Sequence, residues 1–388
     1  MKYFLWLPCL LLFQFCINTK NDSGESEEHK LPVIKVKEAF DENRTISIEK
    51  LCSSIDYVAL ETNEQCVIKD NPEIFVDNNY IVVIAFRQIL VFDRNTGDFI
   101  REIGQRGKGP GEYSATIREG EVFNFLKSTV KAKKNGDKII EYDLNGNITS
   151  IIPTPIYVLP FTETKQGNFI GYVPNDGGSE EVKLVTFDSL GKELYRIANK
   201  DFFDTQTPGV FRYLDDEAGF YKNGDHTYFK EAYNDTIYQI SDRSMIPSAI
   251  VDTHGLSPYF GIKGEKDYSN ILSNTLHIKD FFQVKNYLFF TSNYQKSEYS
   301  GYHNLSSGET EVSNSNDNNA NGFYYDNTDF TFLYPQRSNL DDEIFGYIDA
   351  KSIIDYNKSQ PEARSKLPQN LKNVKLLDNP IIFIARVK

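Results

Sequence analysis

Apolar residues occur along most of the chain in short runs that are bounded by Gly, Pro, Asn and Asp. No apolar stripe of helical period persists long enough to predict a major helix. The 28 Phe and 24 Tyr residues, against only 2 Met, give the chain the aromatic bias that is typical of β-sheets. The pattern therefore predicts an all-β fold.

A short motif recurs between these apolar runs: an aromatic residue, Asp, a few residues, Gly and a polar residue. Its aspartates are Asp93, Asp143 and Asp188, which are 50 and 45 residues apart. This interval is the length of one four-stranded blade of a β-propeller. In each copy we expect the Asp to accept hydrogen bonds from nearby backbone amides, and the Gly to adopt a positive φ.

The later blades are marked less clearly. Residues 228–240 form a drifted copy of the motif, with Asn234 and Asp235 at its turn. Two further blades fit residues 278–312 and 323–387. The best count is six blades, and five or seven are the alternatives.

The two ends of the predicted domain carry apolar strands, at residues 55–62 and 381–385. Pairing them within one blade closes the ring and leaves no unpaired edge. We therefore predict a six-bladed β-propeller of four-stranded antiparallel blades over residues 53–388. Within it, residues 306–322 are expected to form a flexible loop and residues 357–370 a polar connection.

Residues 104–113 hold four Gly residues and a Pro, so they can be neither helix nor strand interior. We expect a structural turn between two blades, with its glycines in backbone conformations that are closed to other residues. The alternative is a ligand-contacting loop whose backbone amides cradle an anion. Its candidate binding residues are Arg106, Lys108, Glu112 and Tyr113.

Together with residues 91–100, this loop resembles the signature of the six-bladed β-propeller lipoproteins that are abundant in Gram-negative bacteria with polysaccharide-utilisation loci. Residues 228–247 and 55–62 also resemble that family, so the resemblance extends over most of residues 53–388. It implies the fold and a place in the cell envelope. It does not imply a reaction.

The chain begins with Lys2 and an apolar run that is too short to anchor stably across a bilayer. Residues 1–16 resemble the signal segment of a lipoprotein precursor, in which Cys16 is lipidated, and residues 17–52 form a polar tether and lead-in. The resemblance implies an outer-membrane lipoprotein, facing the periplasm or the surface, that contacts the membrane through its lipid anchor only. Plain periplasmic secretion is the rival, since residues 13–15 lack the usual leucine and small residues.

If Cys9 is removed with the signal and Cys16 is lipidated, Cys52 and Cys66 are the two cysteines that remain. One alternative is a disulfide between them, which would add about 3 kcal/mol in the chain-entropy account. The other is a pair of separate buried thiols. Spacing along the chain does not choose between them, because a disulfide depends on how the β-carbons meet.

Few residues indicate a specific chemistry. The net charge of −13 argues against nucleic-acid binding. Acidic residues 215–217 and 341–343 lack the spacing of a calcium loop, so we expect hydrated turns there. The histidines lack the paired spacing of metal ligands, so the sequence predicts no metal site and no cofactor. They are His29, His226, His254, His277 and His303.

The fold does not determine the function, and two hypotheses follow. The first is a noncatalytic binding or scaffold protein of the cell envelope, whose ligand is a glycan, a peptide or a partner protein. The second is an envelope hydrolase, lyase or lactonase with its site at the central channel, although no catalytic residue can be named from the sequence. The second hypothesis requires several carboxylates, a His and an Arg to meet at one end of the channel.

Overall fold

The computed structural model describes residues 31–68, 71–117, 121–135, 137–206, 212, 214, 216–314, 321–325, 330–359, 365 and 367–388. Within this part, Leu31–Lys388 is one compact unit. Six antiparallel sheets form a ring, so the chain is a six-bladed β-propeller, as the sequence predicts, and not a five- or seven-bladed one. The predicted signal segment and Cys16 lie outside the described residues.

The blades are numbered along the chain, and their strands are given from the channel outwards. Blade 1 contains Glu73–Val76, Tyr80–Ala85, Gln88–Asp93 and Phe99–Glu102. In blade 2 two short inner strands pair with the next strand; its strands are Ala115–Thr116, Phe123–Asn124, Thr129–Lys134, Lys138–Asp143 and Ile148–Pro153. Blade 3 contains Phe161–Glu163, Phe169–Tyr172, Val182–Phe187 and Glu193–Ala198.

The other three blades complete the ring. Blade 4 contains Ala218–Asn223, His226–Glu231, Thr236–Ser241 and Ser244–Val251, with Val33–Ile34 added in parallel at its outer edge. Blade 5 contains His277–Val284, Tyr287–Tyr294, Ser297–Asn304 and Thr310–Val312. Blade 6 contains Arg337–Ser338, Glu343–Ile348, Ile381–Val387 and Cys52–Ala59.

Short helices and one hairpin decorate the ring. The α-helices are α1 (Val36–Asp41), α2 (Tyr268–Ser273) and α3 (Ala350–Ser359). The 3₁₀ helices are Ile48–Lys50, Phe260–Gly264 and Gln369–Leu371. A two-stranded hairpin, Phe323–Tyr325 with Phe330–Leu333, lies in the connection from blade 5 to blade 6. In the part of the chain that the structure describes, no helix is long and apolar enough to cross a membrane.

The middle strands of a blade are buried on both sides because neighbouring blades cover them. Tyr80–Ala85 and Gln88–Asp93 are buried along almost their whole length, which explains their continuous apolar sequences. The outer strand Glu193–Ala198 is mostly exposed. Phe75 and Phe187 belong to one hydrophobic cluster that spans blades 1 to 3. Each such side chain contributes about 1.5–3 kcal/mol when it is fully buried.

The antiparallel order of strands gives the ring two distinct faces. In blades 1 to 5 the chain enters at the innermost strand and runs outwards strand by strand, and in blade 6 the N-terminal strand Cys52–Ala59 supplies the outermost position. The connections between blades and the turns between second and third strands therefore lie on one face, which we call the connection face. The turns between first and second strands, and between third and fourth, lie on the opposite face, which we call the hairpin face.

The predicted closure of the ring is confirmed. Ile55 is paired with Ala385 and Ala59 with Ile381, in an antiparallel ladder that makes the N-terminal strand the outermost strand of blade 6. The turn chemistry is confirmed as well. Asp93 Oδ1, for example, accepts the backbone amides of Asn95 and Thr96 at 2.8 and 2.9 Å.

The prediction for the drifted fourth copy of the motif is wrong, because its turn does not join the third and fourth strands of a blade as the other three turns do. Asn234 and Asp235 join the second and third strands of blade 4, on the connection face, whereas the turn between its third and fourth strands is formed by Asp242 and Arg243. Asn234 Oδ1 accepts the backbone amide of Thr236 at 2.9 Å. The same local hydrogen bond thus serves either type of turn, and the motif does not tell them apart.

Two boundaries also differ from the sequence-based expectation. Blade 6 begins at Arg337 and not near residue 323, because the hairpin before it forms a sheet of its own. The predicted loop at 306–322 contains the outermost strand of blade 5, and its residues 315–320 lie outside the described part. The predicted polar connection at 357–370 begins within α3, whose Ile353 and Tyr356 are buried.

Packed structure begins well before residue 53. Val33–Ile34 pairs with Ser244–Val251, and α1 follows directly. Ile34, Val36 and Ile48 are buried. Part of the segment assigned from the sequence to a polar lead-in is therefore attached to the outside of the propeller.

Gly97 and Gly146 occupy matching turns in blades 1 and 2, with φ of +77° and +88°. A Cβ at Gly97 would lie 2.1 Å from the carbonyl oxygen of Ala59 in the closing strand, whereas a Cβ at Gly146 meets nothing within 4 Å. We expect Gly146→Ala to cost about 1 kcal/mol for its backbone conformation, and Gly97→Ala about 3 kcal/mol because a backbone atom must also move. Urea unfolding measures both. Equal losses of unfolding free energy would show that the close contact between Gly97 and the closing strand contributes nothing to stability.

Candidate functional site

The connection face carries a cavity of about 670 Å³. It is lined by the beginnings of the innermost strands of blades 1 and 5, by residues just before those of blades 4 and 6, and by α2. Its size lies within the usual range of small-molecule sites. The ionisable groups that line it include Glu73, Asp216, His277, Lys279, Asp280 and Glu298, together with the exposed Lys296.

His277 is the most unusual of these groups. It begins the innermost strand of blade 5 and is only 5% exposed. Its ring donates a hydrogen bond to the backbone carbonyl of Asp216, while Nε2 has no hydrogen-bond partner. Burial, helped by the charges of Lys279 and Lys230, lowers the pKa of His277 to about 3. The imidazole is therefore neutral at neutral pH, with its proton on Nδ1 and a lone pair on Nε2.

An ion pair between Arg337 and Glu73 stands at the base of the cavity. The Arg337 guanidinium donates to Glu73 Oε2 from NH2 at 2.6 Å and from Nε at 3.1 Å, and it lies over the ring of Phe75. Glu73 lines the connection-face cavity, while Arg337 lines a second cavity of about 390 Å³ on the hairpin face. The pair therefore separates the two ends of the central channel.

Lys279 is also neutralised by carboxylates. Its Nζ lies 3.0 Å from Glu298 Oε1. Burial alone would lower the pKa of Lys279, but the charges of Glu298, Asp280 and Asp216 outweigh it and raise the pKa. Asp280 in turn accepts the hydroxyl of Thr291 at 2.7 Å. Lys279 and Arg337 are thus already engaged by carboxylates, whereas Lys296 lines the cavity as an exposed side chain.

One wall of the cavity belongs to an insertion between blades 4 and 5 that is held down by a buried lysine. Lys263 has no exposed side-chain surface, and its Nζ lies 2.8 Å from both Asp176 Oδ1 and Glu217 Oε2. Tyr172 donates to the other oxygen of Glu217 at 2.7 Å. Removing one partner of such a buried pair typically costs about 3–5 kcal/mol. These contacts fix the insertion, and with it α2, against blades 3 and 4.

The second cavity has a different character. It opens on the hairpin face, and the innermost strands line it with six phenylalanine rings. They belong to Phe75, Phe123, Phe125, Phe220, Phe281 and Phe282. Lys222 Nζ lies 2.7 Å from Glu121 Oε2. Lys285 Nζ lies 3.5 Å from Asp342 Oδ2. The two ends of the channel therefore differ: the connection-face end is polar and the hairpin-face end is aromatic.

The arrangement that an enzyme requires is met only in part: several carboxylates and His277 line the connection-face cavity, whereas Arg337, the partner of Glu73, lines the cavity at the other end of the channel. Two of the hydroxyls that line the connection-face cavity are also engaged by the backbone. The hydroxyls of Ser273 and Thr275, which line the cavity, donate to the backbone carbonyls of Asn270 and Leu272. Over the described residues, no group of three or more His, Cys, Asp or Glu could hold a metal ion.

A family profile described as a domain of unknown function (DUF4934) matches residues 31–386. The chain belongs to this family. No curated protein matches it. Among solved structures, it is similar to a candidate exported protein of Bacteroides fragilis NCTC 9343, with 19% identity and a TM-score of 0.67 over 92% of this chain and 100% of that one. At this identity the likeness concerns the fold alone.

A second solved structure that matches is the PQQ-bound aldose sugar dehydrogenase of Streptomyces coelicolor. It has 10% identity and a TM-score of 0.38 over 87% of this chain and 100% of that one. A similarity this low says nothing about the chemistry of the DUF4934 chain.

The glycine-rich loop at residues 104–113 connects blades 1 and 2 on the connection face, and its groups are satisfied internally. Glu112 Oε2 accepts the backbone amide of Gly109 at 2.7 Å. Lys134 Nζ donates to the carbonyls of Gly109 and Pro110 at 2.7 Å each. Tyr113 is fully buried, and its hydroxyl donates to the carbonyl of Arg87 at 2.8 Å.

The candidate binding residues of this loop lie apart from the cavity. Arg106 and Lys108 are exposed, Glu112 folds back onto the loop, and none of the four candidates lines either cavity described above. The expectation for the glycines is partly wrong, since Gly104 alone among the four has a positive φ. At Gly107 a Cβ would instead lie 1.8 Å from Glu112 Oε2. A ligand-binding role for the loop remains a prediction.

The two late cysteines are separate, buried and free in the structure. Cys52 begins the closing strand and packs with the cluster of blades 5 and 6, whereas Cys66 packs with the cluster of blades 6 and 1, beyond the other end of that strand. Eight strand residues span about 25 Å. The structure therefore has the arrangement of separate thiols and not the disulfide.

The expected hydrated turns are found only in part: Asp341 and Asp342 lie in the turn between the first two strands of blade 6, but Glu217 and Glu343 are buried. Glu217 is buried in the Lys263 ion pair, and Glu343 is buried with its carboxylate 2.8 Å from both Arg94 and Arg386. These partners could not be predicted from the sequence, because each is distant along the chain. His277 was likewise only one of five histidines, and nothing beside it in the sequence marks the cavity.

We expect Lys134→Met to cost about 1–3 kcal/mol, because three carbonyls of the glycine-rich loop would lose their donor. Lys108→Met is the matched control on the exposed side of the same loop and should change stability by less than about 0.5 kcal/mol. Thermal and urea unfolding of both variants provide the measurement. Similar stabilities would mean that the lysine does not hold the loop.

Proposed function

We propose that this protein is a noncatalytic binding protein of the cell envelope that holds a polar ligand in the connection-face cavity. The observation that carries the proposal is His277, a neutral, buried imidazole that lines the cavity and keeps an unpaired acceptor at Nε2. A buried acceptor without a partner costs about 1–3 kcal/mol, and a ligand that donates a hydrogen bond recovers this cost. A glycan, a peptide or a segment of an envelope protein could supply the donor.

Binding without turnover fits the site better than catalysis. The hydroxyls of Ser273 and Thr275 are bound to backbone carbonyls, and the cation of Lys279 is paired with Glu298. A nucleophilic mechanism needs a hydroxyl or thiol within reach of its base. The geometry instead resembles a rigid set of donors and acceptors on the beginnings of strands.

The test uses the full-length protein and arrays of glycans and peptides, with affinities measured by calorimetry. Ser269 is exposed on α2 at the connection-face cavity, and Leu340 is exposed at the hairpin-face cavity. Ser269→Trp should weaken binding at least tenfold by filling the connection-face opening. Leu340→Trp is the control and should leave the affinity unchanged. The opposite result would move the site to the hairpin face, and a ligand insensitive to both would overturn the proposal.

A hydrolase, lyase or lactonase is the second candidate, favoured by the convergence of several carboxylates and His277 at the connection-face cavity. In that case His277 Nε2 would act as the general base. Incubation of each ligand from the arrays with the protein, followed by mass spectrometry, distinguishes the two. Products that disappear in His277→Gln would establish catalysis, and an unchanged ligand would favour binding.

The proposed location rests on the beginning of the sequence, which resembles a lipoprotein precursor with Cys16 at the lipidation position. We expect Cys16→Ala to move the protein from the membrane fraction to the soluble fraction. An acyl anchor contributes about 0.8 kcal/mol for each buried methylene, so its loss removes the only attachment. Fractionation with immunoblotting measures the change. If the variant stays with the membrane, the anchor hypothesis fails, and if the unmutated protein is soluble, it is secreted without one.

A further inference from the structure

We propose that the ligand of the connection-face cavity is a neutral, hydroxyl-rich glycan, one hydroxyl of which donates to His277 Nε2, and that acidic glycans are rejected. This inference rests on the proposed function, because it names the ligand class of the same site.

The first argument concerns the acceptors that the cavity offers. His277 cannot turn its lone pair away, because its other nitrogen is held by the carbonyl of Asp216. Gln336, just before the innermost strand of blade 6, also lines the cavity, and its buried Oε1 has no hydrogen-bond partner. Both atoms accept hydrogen bonds and neither can donate one. A hydroxyl group supplies the missing donor, whereas a carboxylate or sulfate has no proton to give.

The second argument concerns charge. An acidic glycan needs a free cation in a desolvated place. Lys279 is engaged by Glu298 and Arg337, at the base, by Glu73. Lys296, which also lines the cavity, is exposed, so an ion pair with it would contribute little. A cationic ligand needs a free carboxylate, and the same two ion pairs already engage the carboxylates of Glu298 and Glu73. Two other carboxylates line the cavity: that of Asp280 accepts from Thr291, and that of Asp216 interacts with the charge of Lys279. A charged ligand that pairs with any of these partly buried groups would have to break an existing contact, which is costly.

The third argument concerns shape and apolar surface. Three half-buried tyrosines, Tyr268, Tyr294 and Tyr347, line the cavity beside its polar groups. Aromatic rings offer broad apolar faces with a polar tip, and these suit the C–H face and hydroxyl edge of a sugar ring. Asn293 adds an amide that can both donate and accept. A volume of about 670 Å³ leaves room for more than one sugar unit.

The experiment compares matched ligands on the full-length protein. Each neutral oligosaccharide of the panel is paired with its derivative oxidised at C6 to the uronate, and Lys- and Arg-rich peptides form a cationic arm. We expect the neutral member of at least one pair to bind about tenfold or more tightly than its oxidised partner, and the basic peptides not to bind. Preference for the uronate, or binding of the basic peptides at the cavity, would overturn the inference.

Variants then test the acceptors. His277→Phe and Gln336→Leu each remove one acceptor and should weaken the neutral ligand about tenfold. His226→Gln, on the exposed hairpin face, is the matched histidine control and should have no effect. If His277→Phe does not fold, Gln336→Leu alone decides, and unchanged affinity in it would refute the acceptor argument.

The failure of this inference can be distinguished from that of the proposed function. Ser269→Trp reports whether any ligand occupies the cavity at all. If Ser269→Trp blocks a ligand that proves to be anionic or cationic, the proposed binding function stands, and the inference that the ligand is a neutral glycan is refuted. A neutral glycan whose affinity Ser269→Trp does not change would refute the site itself.

Discussion

The rest of the structure depends on the pairing of the first long strand with the last one in blade 6. Cys52–Ala59 and Ile381–Val387 form an antiparallel ladder that is interrupted only by a register shift between Cys52 and Ser54. Left apart, each would present a row of unpaired backbone groups at a raw edge. The entropy cost of bringing distant segments together grows slowly, by about 0.6 kcal/mol for each doubling of the loop. A ladder of this length offsets that cost, and the turn around Gly97 packs directly on the closing strand.

Closure also creates the candidate site. Because every innermost strand begins on the same face, the residues at those positions converge although they are far apart in the sequence. Glu73 comes from blade 1, His277 from blade 5 and Gln336 from the entry to blade 6. The buried Lys263 then adds the insertion that carries α2 as a further wall. The ring thus determines where a site lies, and its side chains determine the chemistry.

This difference explains what could be predicted from the sequence. The Asp-Gly turns were predictable because their hydrogen bonds lie within a few residues, and closure was predictable because two apolar strands had to find partners. Asn234 was misplaced since its turn chemistry fits either kind of turn. The roles of His277 and Glu217 could not be predicted, because Asp216 and Lys263, which define them, are neighbours only in the folded ring.

The unpaired acceptors at the cavity lower the stability of the free protein, and the paired charges of the same site do not. Lys279 and Arg337 have partners close by, so their charges stabilise the site as it stands. His277 Nε2 and Gln336 Oε1 have none. Both residues line a space that is large enough for a sugar. A hydroxyl that reaches these atoms satisfies them, so the free-energy cost borne by the free protein becomes affinity in the complex.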